Sequence, residues 1–178
     1  MSEEFATIVA TKRSHAGHTL AQLSAEQPLL VTFLRHAGCT FCREALQDIA
    51  RDRAKIEAAG AKLAVVSMSD EEAGQKLLAH YKLGDIEHFS DPQQAVYRAF
   101  DLQRGSVGQL LGPSVWWRGF KAAILAGHGF GMLAGDGLQM PGVCVLEQGR
   151  IVAAYRHQAA ADRPDYAGLA GEACAVRR

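Results

Sequence analysis

The chain has 178 residues, of which 48% are apolar and 21% charged, and its 19 basic residues balance 19 acidic ones. That length suits one domain with a real core, and the zero net charge gives no electrostatic footprint for nucleic acid or an anionic membrane. No run of about 18 uninterrupted apolar residues reads as membrane-spanning. The segment Met1 to Ser14 carries Glu3, Glu4, Lys12 and Arg13 without the apolar centre of a signal peptide, so a cytoplasmic location is expected.

In chain order, Phe5 to Ala10 reads as a short strand or the first turn of a helix, and His18 to Leu23 leads into a turn-like Ser24 to Gln27. Residues 29–34 are apolar and rich in strand formers, so they predict a buried strand. A helix is predicted over about 40–59, with Gly60 after its last turn. Lys62 to Met68 forms the next strand. Ser69 is placed as the N-cap of a helix running to about Tyr81, with Glu72 closing a capping box. Ile86 to Phe89 is a short strand ended by Asp91-Pro92, and Gln93 to Phe100 a helix. This alternation argues for parallel βαβ units with both sheet faces covered.

The rhythm breaks over 105–142, which hold ten of the eighteen glycines and the pair Trp116-Trp117. Pro113 to Leu125 predicts a short helix with Trp116, Phe120 and Ile124 on one side, read either as core or as an apolar wall for an organic substrate. Gly127 to Gly131 lacks the Lys-Ser/Thr of a phosphate cradle. Val143 to Glu147 and Ile151 to Tyr155 are two strands joined at Gln148-Gly149, a tight hairpin turn. Asp165 to Ala175 closes the chain as a helix.

The chemistry is concentrated at Cys39-Thr40-Phe41-Cys42, between the first strand and its helix. Four cysteines scattered over the chain give roughly 0.1 pair at this spacing by chance, so the pair is informative. Cys39 stands where unpaired backbone N–H groups and the helix dipole favour a thiolate. It is the candidate nucleophile and the thiol expected to be more exposed. Cys42, one turn in, is the candidate resolving thiol. His36 either raises the thiolate fraction or shuttles protons, or is a solvent-facing loop residue. Arg35 and Arg43 flank the pair and favour the thiolate if close. A zinc site needs about four ligands, which only Cys144, Cys174 and the histidines are left to complete, and no second close pair exists. Cys144 and Cys174 read as spectators.

Leu30-Val31-Thr32-Phe33 before the cysteines and Met140-Pro141-Gly142-Val143 before the hairpin resemble the two signature regions of the thioredoxin fold. Within it, Arg35 to Glu44, the Asp91-Pro92 segment and the later insert are similar to the peroxiredoxin-like branch of the alkyl hydroperoxide reductase/thiol-specific antioxidant superfamily. Conventional peroxiredoxins carry Pro-x-x-x-Thr-x-x-Cys; here His36 and Thr32 occupy the Thr and Pro positions. Thr32 also lies near where thioredoxins bury an acid, so that internal base is expected to be absent.

The resemblance implies an α/β three-layer sandwich with a central mixed sheet, one domain over 1–178 and a Gly/Trp-containing insert at about 105–140. It implies Cys39, Cys42, His36 and Arg43 as catalytic groups, and Pro141 (in cis), Met140, Thr40, Phe41 and Trp116 at the substrate. It implies a peroxide or disulfide substrate, a thioredoxin- or glutathione-type reductant, and no bound cofactor or metal. A homodimer through the insert, a non-enzymatic interaction module and a metal-binding module are the alternatives.

Overall fold

The computed structural model describes residues 2–35, 39–102, 104–105, 138–159 and 162–175. His36, Trp116, Trp117, Phe120, the Gly127–Gly131 run and most of the 105–140 insert lie outside the described residues. Among the described residues the elements are, in order, α1 (Glu3–Thr11), α2 (Leu20–Glu26), β1 (Leu29–Leu34), α3 (Thr40–Ala58), β2 (Lys62–Ser67), α4 (Glu71–His80), β3 (Glu87–Ser90), α5 (Ala95–Ala99), β4 (Gly142–Glu147), β5 (Arg150–Arg156) and α6 (Tyr166–Ala175).

The sheet order is β3-β2-β1-β4-β5. β1, β2 and β3 run parallel, and β4 lies antiparallel to both β1 and β5. The sheet is therefore mixed, as expected. β1 is central and buried on both faces, which explains why it reads as a continuous apolar run rather than an alternating one. Leu30 and Leu34 point into a cluster with Leu46, Ile49, Ile56, Leu78, Val143, Tyr166 and Ala170, which belong to α3, α4, β4 and α6. Leu29, Val31 and Phe33 point the other way, onto Phe5, Val9, Leu20, Leu23, Tyr97 and Phe100 of the α1, α2 and α5 side. Three layers result.

Four expectations are corrected. Residues 3–11 form a full helix, because Ser2 Oγ accepts from Phe5 N–H and Glu3 and Glu4 complement the first-turn dipole. The turn-like stretch before β1 is α2, started by a reciprocal capping box between Thr19 and Gln22. The cap of α4 is Asp70, whose carboxylate accepts from Ala73 N–H at 2.8 Å, while Ser69 O accepts from the Ser90 hydroxyl at 2.8 Å. α5 is shorter than predicted. Gln94 takes a left-handed φ of 58°, and the buried Asp91 carboxylate accepts from Ala95 N–H at 3.1 Å and Val96 N–H at 2.7 Å.

The β4–β5 hairpin turns at Gln148 and Gly149, both with positive φ, as a two-residue primed turn requires. α2 anchors this turn, since Gln148 N–H donates to Ser24 O at 2.8 Å and Gly149 N–H to Ser24 Oγ at 3.0 Å. The ends of the insert are stitched together as well. Gly105 N–H donates to Leu138 O at 2.7 Å, and Gln139 Nε2 donates to Leu102 O at 2.8 Å.

Candidate active site

The site forms at the C-terminal edge of β1, where the chain passes through Arg35 into α3. Tyr97, fully buried in α5, fixes this edge from below. Its hydroxyl donates to Leu34 O and reaches Val66 O at 3.2 Å, tying the ends of β1 and β2 together. Arg35 N–H then donates to Cys42 Sγ at 3.2 Å, so the backbone leaving β1 orients the second thiol.

Cys39 is the N-cap of α3, with extended φ, ψ of −76° and 118°, and its carbonyl accepts from Arg43 N–H at 3.1 Å. Its thiol is lowered from 9.0 to about 6, first because the Cys42 S–H donates to it. Burial opposes this shift. The Arg35 charge and the Phe41 and Cys42 backbone N–H groups favour the thiolate, although Cys39 closes no side-chain capping bond of its own.

The exposure of the pair is lower than predicted: Cys39 retains 7% and Cys42 3%. The order is as expected, but Cys39 is not an open thiol. It lies in the core cluster, against which Phe41 packs, and Phe41 also contacts Met140. Arg35 and Thr40 beside the pair are themselves buried. Arg35, not Arg43, supplies the charge acting on Cys39; the Arg43 charge acts instead on the Tyr81 phenol of α4.

Pro141 joins the pair in one cavity of about 10 Å³, close to the room one water needs. Thr32, Phe41, Gly142, His157, Asp162 and Tyr166 are among the residues of its wall. The Met140–Pro141 bond is trans, since no cis peptide occurs among the described residues. The trans bond leaves the Pro141 carbonyl in register with β5, where it accepts from His157 N–H at 3.4 Å. Of the expected site, the fold thus assembles Cys39, Cys42, Thr40, Phe41, Met140 and Pro141, whereas His36 and Trp116 are outside the described residues.

Sequence reasoning missed His157, Asp162, Tyr166 and a clamp that holds their segment. Arg163 grips the buried Asp48 carboxylate of α3 with two bonds of 2.9 and 2.6 Å and reaches Glu44 at 2.8 Å. Burial pushes the Tyr166 phenol well above its ordinary range and pulls His157 down to about 4. Thr32 Oγ1 and His157 Nδ1 are buried with no hydrogen-bond partner among the described residues. Cys144 faces the opposite layer, where burial raises its thiol, and Cys174 packs half-buried on α6.

Residues 48–160, more than half of the chain, match the family described as AhpC/TSA antioxidant enzyme. The chain belongs to that family. It is a thiol-dependent oxidoreductase of α/β thioredoxin-like fold. Cys39 and Cys42 lie just before the matched stretch. Peroxiredoxin Q of Xanthomonas campestris is similar in structure, with a TM-score of 0.58 at 20% identity over 94% of this chain and 89% of the other. Peroxidoxin BcpB of Mycobacterium tuberculosis gives 0.61 at 16% identity over 93% and 91%. A secreted disulfide oxidoreductase of Mycobacterium tuberculosis, homologous to Escherichia coli DsbE, gives 0.56 at 13% identity over 98% and 99%. No protein of curated function matches the sequence. Among the described residues, no set of three or more His, Cys, Asp or Glu side chains is placed to hold a metal ion, and no helix is long and apolar enough to cross a membrane.

Proposed function

We propose that the chain reduces peroxides or disulfides through a Cys39/Cys42 dithiol, with Cys39 as nucleophile and Cys42 as resolving thiol. The observation that carries this reading is the placement of Cys39, the N-cap of α3, and Cys42 in its first turn beside Pro141 in one cavity, where the Cys42 S–H favours the Cys39 thiolate and brings its thiol down to about 6. At neutral pH such a sulfur is mostly thiolate, and the thiolate is the attacking species. With a peroxide, the Cys39 thiolate forms an S–O bond as the O–O bond breaks, the departing alkoxide takes a proton, and Cys39 becomes a sulfenic acid. With a disulfide, an S–S bond forms as the substrate's S–S bond breaks and a thiolate departs. Cys42 then loses its proton and bonds to Cys39, expelling hydroxide or the second thiolate. A thioredoxin- or glutathione-type dithiol or thiol restores the pair.

Phe41 and Pro141 line the cavity and would bound the substrate with Met140, which packs on Phe41; Thr40 opens the helix beside it, and His36 and Trp116 are the sequence's further candidates. Arg35 supports the thiolate through its charge. The buried Cys144 thiol suits a reducing compartment such as the cytoplasm.

The test is a stoichiometric pulse of hydrogen peroxide, an alkyl hydroperoxide or a small disulfide on the reduced chain, read by mass spectrometry with free thiols trapped. The parent should form a Cys39–Cys42 disulfide. Cys42→Ser should stall with Cys39 modified, and Cys39→Ser should be inert. Parental turnover by both variants would end the proposal.

A further inference from the structure

The dithiol cavity, at about 10 Å³, has room for about one water, and Cys39 keeps 7% of its surface. A peroxide of two oxygen atoms needs little more than that room, whereas a hydroperoxide with a large carbon body needs the walls to part. Besides the sheet, two parts of the chain supply those walls among the described residues. Phe41, Cys42 and Ala45 come from the first turns of α3; His157, Asp162 and Tyr166 come from the chain that leaves β5 and enters α6.

Arg163 ties one of these walls to the other. Its Nε and one terminal nitrogen donate to the two carboxylate oxygens of Asp48 at 2.9 and 2.6 Å, and its other terminal nitrogen donates to Glu44 at 2.8 Å. Both acceptors belong to α3. The Asp48 side chain is 7% exposed, so water competes poorly with this two-pronged, charge-assisted pair. Arg51 also bonds Asp48, but from within α3, so it joins no walls. Next to Arg163, the Asp162 carboxylate accepts from Gln158 N–H at 2.7 Å and Ala159 N–H at 3.0 Å. Displacing Arg163 therefore carries Asp162 and its bonded neighbours along. α6 has its own anchors: Asp165 accepts from Gly168 N–H at 2.9 Å, and Tyr166, Ala170 and Ala173 are buried. A clamp that α6 does not need, set across the cavity, points to control of entry.

We infer that Arg163 sets the size of oxidant that reaches Cys39: closed on Asp48 and Glu44, it admits hydrogen peroxide and holds bulky hydroperoxides out. This rests on the dithiol reading above. With either oxidant the Cys39 S–O bond forms as the O–O bond breaks, and the departing oxygen takes a proton to leave as water or as an alcohol. The two oxidants thus differ in bulk at the walls, not in the change at sulfur. The Cys39 thiol is set by the Cys42 S–H, burial, the Arg35 charge and the Phe41 and Cys42 N–H groups, so opening the clamp leaves its ionisation in place.

The reduced full chain is mixed with hydrogen peroxide or with cumene hydroperoxide, both uncharged, and the rate constant for Cys39 oxidation is read by quenching with a thiol trap and mass spectrometry. Arg163→Ala should raise the ratio of the cumene to the hydrogen peroxide rate constant by about tenfold or more, the size expected for lost hydrogen bonds to a charged group. Its alkylation inflection should stay near the parental value of about 6. Arg163→Lys, which keeps the charge without the two-pronged grip, should fall between parent and Ala. Gly74→Ala serves as the control for lost stability, because its strain falls on the His88 ring, and it should keep the parental ratio. A parental ratio in Arg163→Ala overturns the inference. So does a Gly74→Ala chain whose ratio rises as far as that of Arg163→Ala. If Cys39→Ser consumes both hydroperoxides at the parental rate, the dithiol reading itself has failed.

Discussion

The lowered Cys39 thiol is a testable consequence of a single proton donor. Its ordinary value is 9.0, and the structure brings it to about 6, so about 90% of Cys39 is thiolate at pH 7 instead of about 1%. The largest cause is the Cys42 S–H; burial acts against it, and the Arg35 charge helps. Cys42→Ala removes that donor while leaving burial and Arg35 in place. A hydrogen bond to a charged group contributes about 1.5–3 kcal/mol, which is about 1–2 pH units. The inflection in Cys39 alkylation by iodoacetamide should therefore rise from about 6 to between about 7 and 8, and the thiolate fraction at pH 7 should fall to about 10–50%. The rate of nucleophilic attack in the parent should climb through the same pH of about 6 and then level. If alkylation of Cys42→Ala keeps its inflection near 6, the donor is not what ionises Cys39, and the helix terminus and Arg35 would have to carry the shift.

Three further outcomes follow from the scaffold. A Cβ on Gly74 of α4 would stand 2.0 Å from the His88 ring, which is buried and bonded to Ser67 Oγ at 2.9 Å. Gly74→Ala should lower stability by about 1–5 kcal/mol in urea unfolding, where helix propensity alone predicts a gain of about 1 kcal/mol. His88 is held at about 4 by burial, below its unfolded value, so the unfolded chain takes up a proton first as pH falls from about 6.5. Its contribution of up to about 3 kcal/mol is present above pH 6.5 and disappears by about pH 4. Urea midpoints of the parent should drop across that window more steeply than those of His88→Asn, and equal slopes would count against the assignment. Arg163→Ala leaves the buried Asp48 bonded to Arg51 at 2.9 Å and should cost about 1–3 kcal/mol by thermal unfolding. Arg163→Lys should recover only part of this, because a lysine cannot offer the two-pronged grip. An unchanged Ala variant would show the clamp to be inert.

The central layer was legible because its signals are local. β1 and β2 are uninterrupted apolar runs, the helix after Cys39 has a clear apolar stripe, and Gln148-Gly149 announces its hairpin. Elements held by non-local contacts were harder to read. α2 has only seven residues; its one local signal is the Thr19/Gln22 capping box, and burial of Leu20 and Leu23 with docking of Ser24 onto the hairpin turn holds it. At the start of α4 both Ser69 and Asp70 suit a cap, and the choice falls to Asp70 because the strand-end Ser90 hydroxyl engages the Ser69 carbonyl.

His157 shows why the site was only partly readable. Counting outward from the Gln148-Gly149 turn pairs Glu147 with Arg150 and Leu146 with Ile151. Continued without interruption, that register sets Arg156 opposite Pro141, and a basic side chain there would simply have read as one more exposed strand-end residue. The structure has a bulge between Val145 and Leu146, after which Val145 pairs with Ala153 and Gly142 with Arg156. One extra residue on β5 brings His157, not Arg156, against the Pro141 carbonyl and reverses which side chains face the α3 layer. A one-residue irregularity in an edge hairpin therefore decides whether the dithiol cavity contains an imidazole. Nothing in the local sequence marks the bulge: no glycine occurs from Arg150 to Arg156, and the exposed Val152 that it leaves unpaired is a good strand former. Cysteine spacing could thus reveal the thiols, whereas the imidazole that lines their cavity depends on a register that only the assembled sheet sets.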